Sequence, residues 1–437
     1  MENRYDKYKD SGIAWIGEIP EHWKIIDLKY LSDIRGRIGF RGYTVSDLVS
    51  EGEGAFVIGG KHINQCVLNM EYPDYISWDK YYESPEIMVS KGDIVMAQRG
   101  TLGKVAIIEY DINEATINPS LVLIKNIKCQ GKFLYYYLNS ESTLTLISIL
   151  NTATAVPMIS QNQIENMPIP IPSSIEQQSI ATYLDQKCGE IDELITLQEE
   201  MITKLQSYKQ SVITEAVTKG LDKNVPLKDS GIEWIGEMPK HWNICKLKNI
   251  FLLSTGTTPK DFDQTSEEDN LINWYTPSDI LDSCNDLFSS QRKLSEKVIY
   301  ANKISLFPIG TLLYVGIGAS AGKVGYANEN GYSNQQITGL IPLNCYSRFY
   351  FYYLSALKDK IRDNAFFTTL PIINNAYLGQ ELIPFPTLSE QQSIANYLDQ
   401  KCSEIDELIS IKQQKIEKLK DYKKSLIFEC VTGKRKV

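Results

Sequence analysis

One stretch of this chain occurs twice. Ser173 to Val217, beginning SSIEQQSIATYLDQKCGEIDELI, returns from Thr387 to Val431, and across Glu176–Leu194 and Glu390–Leu408 only two positions differ, Thr182/Asn396 and Gly189/Ser403. A copy this close implies one structural unit used twice. Each copy opens with a capping box, Ser173-x-x-Glu176 and Thr387-x-x-Glu390: the hydroxyl takes the N3 amide and the carboxylate reaches back to the cap amide. Prolines 168, 170 and 172, and 384 and 386, keep the preceding chain extended, so the helix starts sharply.

Behind each cap, apolar residues follow heptad spacing. They are Leu184, Cys188, Ile191, Ile195, Ile202, Leu205, Val212 and Ala216, then Leu398, Cys402, Ile405, Ile409, Ile416, Leu419, Leu426 and Cys430. Both seams break at equivalent places, Gln198/Lys412 and Lys209/Lys423, and polar seam positions of this kind fix register. About 45 residues at ~1.5 Å each make a rod of roughly 65 Å, which cannot bury its stripe alone. The partner expected is the other copy, lying antiparallel and relating the halves by a pseudo-two-fold axis. The competing expectation is that each helix packs on its own globular half.

The rest of the chain repeats around these helices. SGIAWIGEIPEHWKIIDLK (Ser11–Lys29) recurs as SGIEWIGEMPKHWNICKLK (Ser230–Lys248), which divides the chain into halves 1–220 and 221–437. The expected order is a leader (1–24), a globular domain (25–172), a long helix (173–220), a second leader (221–243), a second globular domain (244–386), and a second long helix with its tail (387–437). Trp15, Pro20 and Trp23, with Trp234, Pro239 and Trp242, read as anchors pinning each leader to the body, in the core or toward a partner. In the first domain, strands are expected at Ala55–Ile58, Ile94–Ala97, Val105–Ile108 and Leu121–Ile124, with a Tyr-rich helix at Phe133–Leu150. In the second they are expected at Leu312–Val315, Val324–Ala327 and Leu340–Pro342, with a helix at Phe349–Ile361. The fold class is therefore α+β: two mixed α/β domains and two long antiparallel helices in an internal repeat.

The strands of the two domains agree weakly and their loops differ widely, which suggests one job performed on different targets. The first domain offers Arg35, Arg37, Arg41, Lys61, His62, Asn64, Gln98, Arg99, Lys104, Asn118 and Ser120. The second offers Thr257, Lys260, Thr276, Ser278, Ser320, Lys323, Asn334, Gln335 and Gln336. Arg reads guanine edges and Asn or Gln adenine edges, whereas Lys, Ser, Thr and glycine amides suit phosphates. The mixture fits sequence-specific DNA readout, although any one such loop is commonly just solvated.

The net charge of −9 argues against general nucleic-acid affinity, but charge is unevenly spread. The first helix is acidic at Glu190, Asp192, Glu193, Glu199 and Glu200, while Lys and Arg gather in the domain loops. Eight cysteines without a C-x-x-C pair, and three histidines, suggest neither a zinc site nor a disulfide framework. No apolar run is long enough to span a bilayer and MENRYDKYKDSG is not a signal peptide, so a cytoplasmic location is expected.

Catalytic motifs fail one by one. Gly316-x-Gly318-x-x-Ala321 matches a dinucleotide fingerprint in form, but Lys323-Val324-Gly325 follows where a helix should begin. The same loop is a poor P-loop, with Ile317 at the first glycine position and Val324 at the Ser/Thr position. Asn118-Pro119-Ser120 lacks the second proline and aromatic of an adenine-methyltransferase motif, and Pro73-Asp74 lacks an acid-x-Lys partner. His22 and His241, each beside a Trp in a leader, argue for structure. The reading is a recognition protein without a catalytic centre.

The doubled leader SGIxWIGExPxHW, together with PIPIPSSIEQQSIATYLDQKCGEIDELI and LIPFPTLSEQQSIANYLDQKCSEIDELI, resembles the specificity subunit of type I restriction-modification systems over essentially the whole chain. The resemblance implies two target recognition domains, each reading one half of a split DNA site, held by antiparallel helices that set the spacer. It implies assembly with two modification (methyltransferase) subunits and with restriction (motor-nuclease) subunits. S-adenosylmethionine, ATP and Mg would sit on those partners, with no cofactor and no metal on this chain. Two other readings stay open on the residues: a self-contained DNA methyltransferase or nuclease, and a coiled-coil scaffold binding only proteins.

Overall fold

The repeated stretches form single helices, Ser174–Lys219 and Leu388–Val431, within about a residue of the span set by their caps. The computed structural model describes residues 4–64, 67–151, 156–259, 271–281, 285–302, 304–358, 360, 366–367 and 371–437. The chain divides into two units: residues 1–199 with 413–437, and 200–412. Each long helix therefore contributes one half to each unit.

In the first unit, Asp33–Gly36, Leu121–Lys125, Ile94–Ala97 and Val105–Ile107 form an antiparallel sheet. A second sheet joins Ala115–Ile117 in parallel to Gly54–Ile58, followed by Asp74–Ser77 and Leu48–Val49. Period-two alternation sorts the strand side chains. Val95, Leu121 and Leu123 pack toward Phe56, Ile58 and Ile117 of the second sheet. Ile94, Met96, Val122 and Ile124 pack toward Phe133, Leu134 and Tyr137 of the helical layer.

The expected helix Phe133–Leu150 is two, Gly131–Leu138 and Glu141–Leu150. The break lies at Asn139-Ser140: the hydroxyls of Ser140 and Thr143 both donate to Tyr137 O, which the Ser140 amide also reaches in a tight turn. Lys24–Asp27 pairs with Pro168–Ile171, closing the first domain at its two ends.

The second unit repeats the plan. Its larger sheet runs Phe251–Thr255, Ile337–Pro342, Leu312–Val315, Val324–Ala327 and Asn285–Leu287; its smaller one runs Arg292–Ser295, Leu271–Tyr275 and Gly331–Ser333. The strand expected at Leu340–Pro342 begins earlier, at Ile337. The Tyr-rich helix spans Ser347–Ala356, short of the expected Ile361, which lies outside the described residues.

Both expectations for the long helices hold inside a unit. In the first, Ile180, Leu184, Cys188 and Ile191 share one core with Phe133 and Leu134 of the domain and with Leu426, Ile427, Cys430 and Val431 of the second helix. In the other unit, Ile213, Ala216 and Val217 join Ile394, Leu398 and Cys402 over Phe349 and Tyr350. Of the remaining seam residues, Ile405 and Ile416 are buried, and Ile195, Ile202, Leu205, Ile409 and Leu419 are half-buried.

The seam's polar breaks are used twice in the same way: Lys423 pairs with Asp192, and Lys209 with the equivalent Asp406, each at 2.7 Å. These contacts run the two helices antiparallel within each unit. Lys412, at the other break, donates to Met201 Sδ. The leader tryptophans Trp23 and Trp242 are buried, edge-on to Phe133 and Phe349. Gly433 seats against Pro20 and Trp23, and Tyr8 donates to its carbonyl, so the chain's last helix ends on its first leader.

Candidate nucleic-acid interface

Three backbone segments meet at the end of the main sheet in each unit. The first is the tip of a β-hairpin, Gln98–Lys104 or Gly316–Lys323, closed by Ala97 N to Lys104 O (2.9 Å) and Val315 N to Lys323 O (2.8 Å). The Gly316–Lys323 loop thus joins antiparallel strands, which removes the dinucleotide-fingerprint reading. The tips turn through left-handed glycines, Gly100 and Gly103 in one and Gly318 and Gly322 in the other, a region open to glycine at no steric cost.

The second segment is an Asx turn. Ser120 N donates to Asn118 Oδ1 at 3.0 Å and Gln336 N to Asn334 Oδ1 at 3.1 Å. It docks on the hairpin identically: Gln98 N to Ser120 O (2.9 Å), Gly316 N to Gln336 O (2.8 Å).

The third segment was not among the expected site residues. Met158 bridges to Arg99 and Ile372 to Ile317, while Ile159 N bonds Gln98 O and Ile373 N bonds Gly316 O. Short helices follow, Gln161–Glu165 and Asn375–Gln380. A signal for this segment exists in the sequence. Pro157-Met158-Ile159-Ser160-Gln161 and Pro371-Ile372-Ile373-Asn374-Asn375 share a pattern just ahead of the strands that lead into the long helices.

The expected residues fall into different environments. Arg99 is exposed on the hairpin tip, and among the described residues its guanidinium has no side-chain partner. Arg35 is exposed near Asp33 (3.9 Å) and Lys61 pairs with Asp74 at 2.7 Å. Asn64 is exposed, Lys104 half-buried, and Arg41 meets Glu86 at 3.3 Å. Gln98 is turned inward, donating to Pro119 O and Leu121 O. Asn118 and Ser120 are half-buried and bonded to each other at 2.6 Å.

Arg37 is buried, donating to Ile117 O and Thr116 Oγ1, and burial pulls its guanidinium below its usual range. His62 is buried too. Its Nδ1 accepts from Gly59 N at 2.9 Å, its Nε2 faces Tyr72 O at 3.3 Å, and desolvation lowers its pKa, which favours the neutral ring. These two side chains have spent their hydrogen bonds on the fold.

In the second unit Thr276 and Ser278 belong to a one-turn cap in which Thr276 Oγ1 donates to Asp279 Oδ2, the counterpart of the Gly59–His62 turn. Thr257 is exposed, and its carbonyl takes Trp274 Nε1. Ser320 and Lys323 are half-buried on the hairpin tip, Asn334 is buried, Gln336 is half-buried and Gln335 exposed beside Thr258. Lys260 lies outside the described residues. A groove of about 360 Å³ opens here, lined by Thr255, Ile317, Gln336, Ile372 and Asn375 among others. No group of His, Cys, Asp and Glu able to hold a metal occurs among the described residues, and no described helix is long and apolar enough to cross a membrane.

Both halves of the chain match a known family. The model of the "Type I restriction modification DNA specificity domain" matches twice, over residues 64–206 and 239–421. A Methanocaldococcus jannaschii chain named for the type I restriction enzyme MjaX specificity subunit is 25% identical over 433 residues, covering 97% of this chain and 96% of its own. Among solved structures, a chain from work on complex assembly and conformational transition of the type I R-M system has a TM-score of 0.73 at 16% identity, over 94% of this chain and 98% of its own. The HsdS subunit from Thermoanaerobacter tengcongensis has a TM-score of 0.54 at 16% identity, over 95% and 98%. With both halves matched in order, the chain belongs to the type I restriction-modification DNA specificity family.

Proposed function

We infer that this chain is the non-catalytic DNA specificity subunit of a type I restriction-modification system, each globular domain reading one half of a bipartite site. The observation that carries this is the duplicated three-segment cage with different side chains in its two copies. The frame is held by backbone bonds, so its displayed residues vary without loss of fold. Arg99, Arg35, Lys61 and Asn64 are the exposed candidates for DNA in one unit, and Thr257, Ser278, Gln335 and the Gln336 groove in the other.

Two modification subunits would dock on the long helices, whose spacing function sets the gap between half-sites. Outward apolar residues recur at equivalent positions of both copies, Leu194/Leu408, Leu197/Ile411 and Tyr208/Tyr422, as a pair of identical partners requires. Restriction subunits would join that assembly. S-adenosylmethionine, ATP and Mg would be held by those partners, and the methyltransferase would flip its adenine while this chain positions it.

The test is methylome sequencing of a host carrying the complete system with and without this chain. A bipartite methylated motif that vanishes with the chain is expected. Methyl transfer to DNA by the purified chain alone would overturn the non-catalytic reading.

A further inference from the structure

The two cages correspond at the end of the main sheet through their hydrogen bonds, the second hairpin tip being one residue longer. Gly36 pairs with Val122 where Thr255 pairs with Thr338, and the shared bridges and amide bonds equate Gln98 with Gly316, Arg99 with Ile317, Ser120 with Gln336, and Gln161 with Asn375. Their contents differ in chemistry. In the first unit, Gln98 and Gln161 crowd Gly36, where an added Cβ would stand 3.3 Å from Gln161 Oε1 and 3.7 Å from Gln98 Nε2. With that space filled, Arg99 stands exposed on the tip as its cation, Lys104 being half-buried. In the second unit the glycine at 316 and the shorter Asn375, tied to Thr255 and Thr338, leave the groove open.

The groove's polar character is fixed by a chain of bonds. Gln336 N can only donate, so Asn334 Oδ1 accepts it at 3.1 Å. Asn334 Nδ2 therefore donates to Gln336 Oε1 at 3.0 Å, and Gln336 Nε2 is left as a donor, 3.8 Å from where a Cβ on Gly318 would stand. Beside it stand Ile317 and Ile372, bridged to each other, with Ile372 40% exposed. A donor next to an apolar wall matches thymine, whose major-groove edge carries the O4 acceptor and the C5 methyl; cytosine presents an N4 donor and no methyl. A guanidinium with no side-chain partner among the described residues, such as Arg99's, matches the O6/N7 pair of guanine.

We propose that the position shared by Arg99 and Ile317 is where the two domains read different base pairs, Arg99 a guanine in one half-site and the Ile317–Gln336 groove a thymine in the other. The assignment rests on the chain being a DNA specificity subunit. It is tested by methylome sequencing of hosts carrying the complete system with Arg99→Ala or Gln336→Glu. The second variant keeps an acceptor for Asn334 Nδ2 and turns the outward donor into an anionic acceptor.

R99A is expected to relax one G·C position of one half-site, discrimination there falling about 5- to 150-fold, with the other half-site unchanged. Q336E is expected to exchange T·A for C·G at one position of the other half-site, since a carboxylate accepts from cytosine N4. The proposal is overturned if either variant keeps the full motif, if R99A relaxes an A·T position, or if either variant loses methylation equally at all sites. Absence of any motif with the wild-type chain would instead overturn the specificity-subunit reading itself.

Discussion

Glu390 shows how one carboxylate ties a leader to a helix cap. It accepts from His241 Nε2 (2.7 Å), Trp242 Nε1 (3.1 Å) and Thr387 Oγ1 (2.7 Å). Burial opposes its ionisation, but the hydrogen bonds from His241, Thr387 and Trp242 prevail and hold it at about 2, below the ordinary 4.5. A carboxyl depressed on folding contributes stability that is present above pH 4.5 and lost as pH falls through about 2. Wild type should therefore exceed E390Q in denaturant resistance at pH 6, with the gap closing between pH 4.5 and pH 2; a gap independent of pH would show that the charge is not what holds the leader. The first copy differs in detail, since Glu176 takes His22 while Trp23 Nε1 is buried without a partner among the described residues. The histidines flagged beside tryptophan are thus structural, as their sequence context suggested.

The long helices carry three kinds of position at the scale of the element. Seam residues such as Leu184 and Leu398 are fully buried, and truncation to Ala should cost about 2–5 kcal/mol in equilibrium unfolding. The breaks are electrostatic. Lys209 is 12% exposed against Asp406 at 56%, and a pair so open to water contributes about 0.2–1 kcal/mol. K209D, which also sets two carboxylates against each other, should cost more than that, and K209D/D406K should recover most of the loss in a double-mutant cycle. Outward residues form the third kind. Leu197→Glu should weaken co-purification of the modification subunit while leaving the unfolding free energy within about 0.5 kcal/mol of wild type. An equal loss of stability would place Leu197 in the fold rather than at a docking face.

For the whole molecule, an acidic chain that reads DNA must concentrate its cations locally. DNA binding by the assembled complex should fall steeply with salt, log K dropping by about 0.9 per neutralised phosphate per decade of salt; a flat response would favour a protein-only scaffold. Adding one heptad to both long helices should change the spacer in the methylated motif. An unchanged spacer would reject the role of the helices in setting it.

The repeat, the caps, the seam and its breaks were legible in the amino-acid order alone, because helical periodicity and capping are local and the second copy confirms the first. The same holds for the lack of a catalytic motif and for most strands. Which loop side chains face outward was not legible. Arg37 and His62 look like ligands in a one-dimensional reading, yet the packing of two sheets buries them and Ile117 O, Thr116 Oγ1 and Gly59 N consume their hydrogen bonds. The third segment of the cage, with Ile372 and Asn375, lies beyond a long stretch of chain from the hairpin it bridges. Only tertiary pairing brings it beside Ile317, because a cross-strand contact depends on where the chain returns and not on what surrounds it in sequence.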